Sequence, residues 1–466
     1  MSDHDTTGRP TAIVIGASAT GLLAAAALAD FAEVTVLERD VLPEQPEPRR
    51  GIPQAHHAHL VWSGGVKAFE ELLPNVVEML VASGARLVRI MGDMVSRAPN
   101  EVWFRRFENV PHRNLVCSRP LLDHVLTDRV LHDPRIRLRE NTTVLALDGT
   151  AKAVTGVQVK TGDTQETLRA DLVVDASGRG TSAPRWLQDL GLPAVEQREV
   201  NAGVAYATRL YKAPGSTAAR TFPLVNVQAN PSKAPGRGGI ILPIEDDRWI
   251  VTLCGTRGGE PTAENDAFID FALSLGDPVI GELLKNAEPI GDVKTSRSTA
   301  NTRRYYEKMK AWPDGFIALG DAIAGYNPVY GHGLSVAAQC ALAVRDVLRD
   351  HPLTAPGTAR RAQRAAARPV GAAWDLAVGQ DALYPGASAT PPNRVERLLA
   401  RYVDRCVETG ASNPRALAAL LDVMSLLKPP TRLFSPDMLV PMLTGPKMKL
   451  LTEPPLTEAE REAALR

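Results

Sequence analysis

Cysteine is scarce: Cys117, Cys254, Cys340 and Cys406 are the four in 466 residues, and they stand far apart. Their spacing fits neither a zinc pattern nor a disulfide framework, so they read as ordinary buried thiols in a reducing compartment. Net charge is absent as well, because 53 Lys and Arg are balanced by 53 Asp and Glu. That excludes a global field drawing the chain to nucleic acid or to an anionic membrane, and any partner has to be argued from local sites. Long apolar runs are missing; the best of them, Leu22 to Ala29, is too short to span a bilayer. The start, Met1 to Pro10, is polar and acidic where a secretion leader is basic and then apolar, so a frayed tail and a cytoplasmic protein are the expectation. There is no internal repeat and no low-complexity segment. What is present is a 44% hydrophobic chain, long enough to divide its core between two domains.

Thr11 to Ile15 is a β-rich apolar run ending at a glycine, Gly21 to Asp30 is Ala/Leu-rich and helical, and Val34 to Leu37 is a second short run ending at an acid. The order is strand, turn, helix, strand. Asp171 to Val174 and Phe316 to Leu319 are further buried-strand candidates, each before a polar turn containing glycine, as in a parallel sheet fed from distant parts of the chain. Between them, Gly203 to Leu210, Gly239 to Ile244 and Trp249 to Cys254 read as strands, with Glu245-Asp246-Asp247 turning between the last two. The expected fold is therefore α/β, with a discontinuous Rossmann-like nucleotide domain over 10–75, 110–195 and 300–350. An inserted antiparallel β-sheet over 76–109 and 196–299 offers a substrate wall. A C-terminal helical region over 351–466 is broken near Pro385 to Pro392 and at Pro429-Pro430.

Three motifs carry chemistry. The first is Gly16-Ala17-Ser18-Ala19-Thr20-Gly21 between strand and helix, with Glu38-Arg39 ending the next strand. There the first glycine permits the bend, the helix N-terminus offers free NH groups to a pyrophosphate, and the acid accepts ribose hydroxyls. Ser18 stands where a middle glycine is expected and crowds the phosphate approach. Alone, this turn does not separate NAD from FAD. The second is Asp171 to Gly180, containing Asp175; the third is Gly320-Asp321-Ala322, followed by Asn327-Pro328-Val329-Tyr330-Gly331-His332-Gly333-Leu334-Ser335. An NAD dehydrogenase has no need of either.

In this order the motifs resemble those of the group A flavoprotein monooxygenases, the family of para-hydroxybenzoate hydroxylase and squalene epoxidase, over most of the first 350 residues. The resemblance implies a glutathione-reductase-type FAD-binding domain. By position, Asp321 is similar to the aspartate that bonds the ribitol chain, and Pro328 to Gly333 resembles the loop beside the isoalloxazine ring. A helix starting near Ser335 would aim its positive end at the ring's pyrimidine edge. Arg119 resembles an arginine set against FAD, and Val144 the backbone position that contacts adenine. A narrower resemblance, carried by Arg50 to Gly65 with Ala205, Thr208 to Leu210 and Pro328 to Gly333, is to the bacterial polyether epoxidases of monensin and lasalocid biosynthesis. It makes Arg50 a candidate flavin or phosphate contact and fades beyond about Pro369, so the helical tail says little about substrate.

His56, His57 and His59 are too close together for a helical metal site and have no Cys, Asp or Glu to complete a ligand set; His57 is instead placed near the flavin. No catalytic side-chain constellation is expected, because a flavin C4a-hydroperoxide does the chemistry and the protein positions the substrate and excludes water. The reading is a monooxygenase epoxidising a hydrophobic polyene polyketide or prenylated intermediate with O2. Electrons come from NAD(P)H, bound transiently or passed through a flavin reductase, since no second dinucleotide turn is visible. Aromatic hydroxylation is the nearest alternative, and a buried Tyr, His or Asp facing the flavin would favour it. An alkene reductase and a non-catalytic flavin-binding protein are further alternatives. A halogenase would carry a Trp-x-Trp pair, which the six tryptophans do not form.

Overall fold

The run Thr-Ala-Ile-Val-Ile has no breaker and is buried from its second residue onward, which suits a central strand covered on both faces. In the computed structural model, which describes residues 8–214, 221–388, 393–446 and 448–465, this strand, Thr11–Ile15 (β1), lies mid-sheet. The helix Ala19–Leu28 (α1) leads to Glu33–Leu37 (β2), and Ile136–Arg139 (β3), Leu172–Asp175 (β4) and Phe316–Ala318 (β5) complete a five-stranded sheet. Its spatial order is β5-β4-β1-β2-β3, and every pairing is parallel. Ile15 sits opposite both Leu37 and Asp175, so the chain leaves three adjacent strands at one edge, where α/β sheets open a crevice for ligands. The expectation that distant segments feed one parallel sheet is met. The start of the chain, 1–7, lies outside the described residues.

The inserted sheet has six strands in the order Pro289–Ser296, Ala205–Lys212, Arg248–Gly255, Arg237–Ile244, Leu224–Val227 and Met94–Arg97. It departs from the antiparallel expectation at one edge: Leu224–Val227 pairs parallel with Met94–Arg97. That edge strand arrives from an earlier segment, with no hairpin to impose antiparallel direction. Asp246 and Asp247 both have positive φ, 59° and 50°, the turn that two-residue hairpins favour.

Beyond the sheets the chain is helical. Gly333–Asp350 (α2) begins two residues before the expected Ser335 and buries Val336, Cys340, Val344 and Leu348 along one side. Thr358–Asp381 (α3) carries Pro369 inside it. After it come Arg394–Ser412 (α4), Pro414–Met424 (α5) and Pro436–Thr444 (α6), with a 3-10 turn, Pro430–Phe434, at the expected proline break. Of the break near Pro385 to Pro392, residues 389–392 lie outside the described ones. All four cysteines are buried and free; burial pushes the Cys254 and Cys340 thiols up to about 12 and Cys406 to about 11, so they stay protonated.

Candidate functional site

A cavity of about 1320 Å3 runs from the open edge of the parallel sheet, under the inserted sheet, to the C-terminal helices. This exceeds the range of about 300–1,000 Å3 common for a single ligand.

At the sheet end, Gly16 takes φ +98° and its N–H donates to Leu37 O at 2.8 Å. A Cβ on Gly21 would lie 1.7 Å from Gly16 O, so only hydrogen fits where α1 crosses the turn. Ser18 is the N-cap of α1 but makes no side-chain capping bond, and Ser18, Ala19 and Thr20 face the cavity. The first-turn NH groups of α1 thus remain available to an anion. Glu38, 7% exposed, accepts from Ala17 N at 2.9 Å and from Arg49 Nη2 at 2.8 Å. Arg49 also donates to Ala17 O at 2.7 Å. Arg39, Arg119 and Val144 line the same end, and Arg119 is paired with Asp123 at 2.8 Å.

Five of the residues picked from sequence do not form the wall. Arg50 is exposed and off the cavity, and its neighbour Arg49 takes the inward place. Asp175 is fully buried one layer behind; its carboxylate accepts from Ser177 N at 3.0 Å and from the Ser177 and Thr181 hydroxyls, shaping the turn after β4. Ala17, Gly21 and Gly320 serve backbone packing; a Cβ on Gly320 would meet the Thr20 side chain at 2.6 Å. Asp321 does face the cavity, 3.4 Å from Arg179 Nε. Arg179 also lines it and donates to the Ala300 and Tyr326 carbonyls. It stands inside the second motif, and its position in the segment Asp175 to Gly180 was the signal.

The loop 327–333 crosses the cavity and is clamped from both sides. Pro328, Gly331, His332, Gly333 and Leu334 all line the cavity. On one side Trp62 Nε1 donates to Tyr330 O at 2.9 Å and Trp62 N to Ser335 Oγ at 3.0 Å, while His332 Nε2 donates to Met424 O, in α5, at 3.0 Å. On the other, Asp381 at the end of α3 is 2% exposed and accepts from Tyr330 OH at 2.6 Å, Asn301 Nδ2 at 2.6 Å and Asn327 Nδ2 at 2.9 Å. Tyr206 OH donates to Asn327 Oδ1 at 2.7 Å, bringing the inserted sheet into the network. Burial pushes the Asp381 carboxyl above the usual carboxylate range, and its three hydrogen bonds work the other way. Sequence reasoning missed Asp381: it sits in a helix with no motif around it.

His57 Nδ1 lies 2.8 Å from Thr208 Oγ1, which is 2.7 Å from Thr252 Oγ1. His59 Nδ1 donates to His57 O at 2.8 Å. Burial lowers His57 to about 4 and His59 to about 3, so both are neutral near pH 7. Among the described residues no group of three His, Cys, Asp or Glu side chains is placed to hold a metal ion. The remaining wall is mainly apolar, with Met94, Phe104, Ile240, Leu242, Leu420 and Val423 among its residues, and carries polar side chains such as Ser96, Asn226, Gln228 and Glu396.

A parallel sheet opening on a cavity, with free helix NH groups at one strand end and a buried acid at the next, defines a dinucleotide-binding α/β protein. More particularly, the chain belongs to the FAD binding domain family, whose model matches residues 9–351. It is similar to protein Rv3254 of Mycobacterium tuberculosis, 30% identical over 427 residues and 89% of each chain. It is also similar to the kynurenine 3-monooxygenase of Salinispora tropica, 27% identical over 380 residues, 78% of this chain and 77% of that one. The flavin-dependent brominase Bmp2 has the same fold at a TM-score of 0.64, with 16% identity, over 90% of this chain and 93% of that one.

Proposed function

We propose that the protein is an FAD-dependent monooxygenase that turns an alkene of a hydrophobic polyene or prenylated molecule into an epoxide. In the balanced reaction one atom of O2 enters the substrate, the other leaves as water, NAD(P)H gives two electrons with one proton, and the medium supplies the second proton. The observation that carries this reading is that the cavity continues beyond the 327–333 loop with a mainly apolar wall, which includes Leu376, Leu399, Val403, Leu420, Val423 and Leu433. Its deeply buried acid, Asp381, is already engaged by three donors of the protein, and an alkene, unlike a phenol, needs no base to react. The kynurenine 3-monooxygenase relative supports oxygen insertion as the reaction class.

Bound FAD supplies the oxygen-activating chemistry; this chain's residues hold and shield it. The α1 NH groups take the pyrophosphate. Glu38 takes ribose hydroxyls, Asp321 the ribitol, and Arg119 with the segment at Val144 the adenosine half. The N-terminus of α2, at Gly333 and Leu334, lines the cavity and would offer its positive end to the negative charge of a reduced flavin. The clamped loop keeps the reacting region dry.

Aromatic hydroxylation is the second reading, favoured by one feature: half-buried Tyr330 and buried Asp381 form a phenol–carboxylate pair on the cavity wall. The test is to incubate purified protein with FAD, NADPH, a flavin reductase and candidate polyenes or prenylated arenes, then weigh the products. A gain of one oxygen atom followed by acid-catalysed addition of water supports the epoxide. A phenol that takes up no water supports the second reading, and a gain of two hydrogens overturns both.

A further inference from the structure

The cavity has a second end. Past the loop its wall continues to Asn393, Leu399, Tyr402, Val403 and Phe434, where α4 closes over it. Residues 393–399 are all exposed, and three of them are apolar: Val395 at 73%, Leu398 at 67% and Leu399 at 50%. Further along the helix Cys406, Thr409 and Gly410 are buried. So α4 is anchored by its later turns while its first two stand clear. The neighbouring α6, joined to it by Cys406 Sγ and Met442 Sδ at 3.7 Å, repeats the arrangement. Met438 and Pro441 face in, while Val440 at 57% and Leu443 at 88% face out. Of the sixteen large apolar side chains exposed among the described residues, nine fall between Val395 and Met448. Exposed apolar surface concentrated in this way marks a contact face.

Charge says what the face meets. Between Asn393 and Lys449 there are nine Lys and Arg against five Asp and Glu, in a chain whose charges balance overall. On α4, Arg394, Arg397, Arg401 and Arg405 recur every three or four residues and so form one stripe beside the apolar one. Arg405 pairs with Glu408, whereas Arg394, Arg397 and Arg401 make no ion pair among the described residues. An apolar stripe bordered by arginines is the pattern of a helix lying in the plane of a membrane surface. No described helix is long and apolar enough to cross a membrane; the pattern is one of docking. A second copy would set basic face against basic face. A protein partner is usually gripped by Trp, Tyr and Arg set in the packed centre of an interface, whereas here the exposed apolar residues of α4 are leucine and valine and the arginines run beside them.

We infer that α4 and α6 dock the protein on an anionic lipid surface, and that the hydrophobic substrate passes from the bilayer into the cavity beneath α4. The docking stands on the surface alone; the passage rests on the monooxygenase reading. The test uses the full chain with FAD, sedimented with phosphatidylcholine vesicles in which about one lipid in three is phosphatidylglycerol, and with phosphatidylcholine alone. Binding is expected to the anionic vesicles and to weaken in high salt. The pair Leu398→Glu with Leu443→Glu, and separately Arg397→Glu with Arg401→Glu, lowers it by about tenfold or more. Circular dichroism and flavin absorbance stay as in the parent, because all four side chains are exposed and none lines the cavity. The inference is overturned if the protein stays in the supernatant, if either pair sediments like the parent, or if light scattering shows a lipid-independent dimer that Leu398→Glu dissolves. Loss of product with vesicle binding intact would instead count against the monooxygenase reading.

Discussion

The two ends of the 327–333 loop's surroundings are built by different means. Toward the parallel sheet, the cavity is made of backbone: a bent glycine turn, helix NH groups and strand ends, with Glu38 and Arg49 as the buried pair behind them. Toward the C-terminus it is made of side chains and stray carbonyls from helices up to about a hundred residues further on: Asp381, Met424 and, beyond them, Leu420 and Val423. A backbone site demands glycine at fixed places and leaves a signature. A side-chain site needs only that a helix arrive in the right place, and leaves none.

The largest expected effect lies on the backbone side. Glu38→Ala strips the buried Arg49 guanidinium of its carboxylate, with side chains 6% and 9% exposed, and frees the Ala17 N–H. Breaking one partner of a buried pair costs about 3–5 kcal/mol, read as a lower urea midpoint together with loss of flavin absorbance. If the protein kept both, the backbone end would be shown to organise itself without the pair.

Next is Asp381→Ala, which leaves Tyr330 OH and two amide groups without their acceptor. Each unsatisfied donor costs on the order of 1 kcal/mol or more, and because they share one network the sum is about 3 kcal/mol. The bound flavin's spectrum should shift while affinity falls less than in Glu38→Ala, because the loop is loosened and the nucleotide end is not. Equal losses in both variants would erase the distinction between the two ends.

Acid should act on the C-terminal clamp. Burial lowers His332 to about 4, so the folded state prefers its neutral form. That contribution is fully present above the unfolded value near 6.5 and is lost as pH falls from 6.5 toward 4. By pH 5 the loss amounts to about 2 kcal/mol. His332→Gln, which can keep the bond to Met424 O, should flatten the decline in unfolding free energy over that window by this amount. His57, also lowered to about 4, continues to titrate there, so a residual slope is expected.

The same contrast explains what was legible. Strand β1 and its partners were readable because a buried parallel strand has to be a continuous apolar run, and Glu38 and Asp321 because they follow such runs directly. Arg179 was within sight, inside a quoted motif, but nothing local says that a guanidinium will turn toward an aspartate 142 positions later. Asp381 was out of reach. Its partners Asn301, Asn327 and Tyr330 lie 80, 54 and 51 residues away, on a strand and a loop that only the tertiary packing of α3 brings to it. The parallel edge pair of the inserted sheet was hidden for the same reason, since the strands involved are separated by more than a hundred residues.

The smallest expected effect tests the reading at the scale of one residue. Arg49 and Arg50 are adjacent and chemically identical, and sequence alone favoured the second. The fold inverts the choice: Arg49 is 8% exposed and holds Glu38 and Ala17 O, whereas Arg50 is exposed and off the wall. An exposed side chain without such partners typically contributes within about 0.5 kcal/mol, so Arg50→Ala should leave the urea midpoint and the flavin content essentially unchanged. If Arg50→Ala instead lost its flavin while Arg49→Ala kept it, the segment before the 3-10 turn Pro53–His56 would have to run one residue out of the register described here. Glu38 would then have a different partner, and the strongest of the four predictions would fall with the weakest.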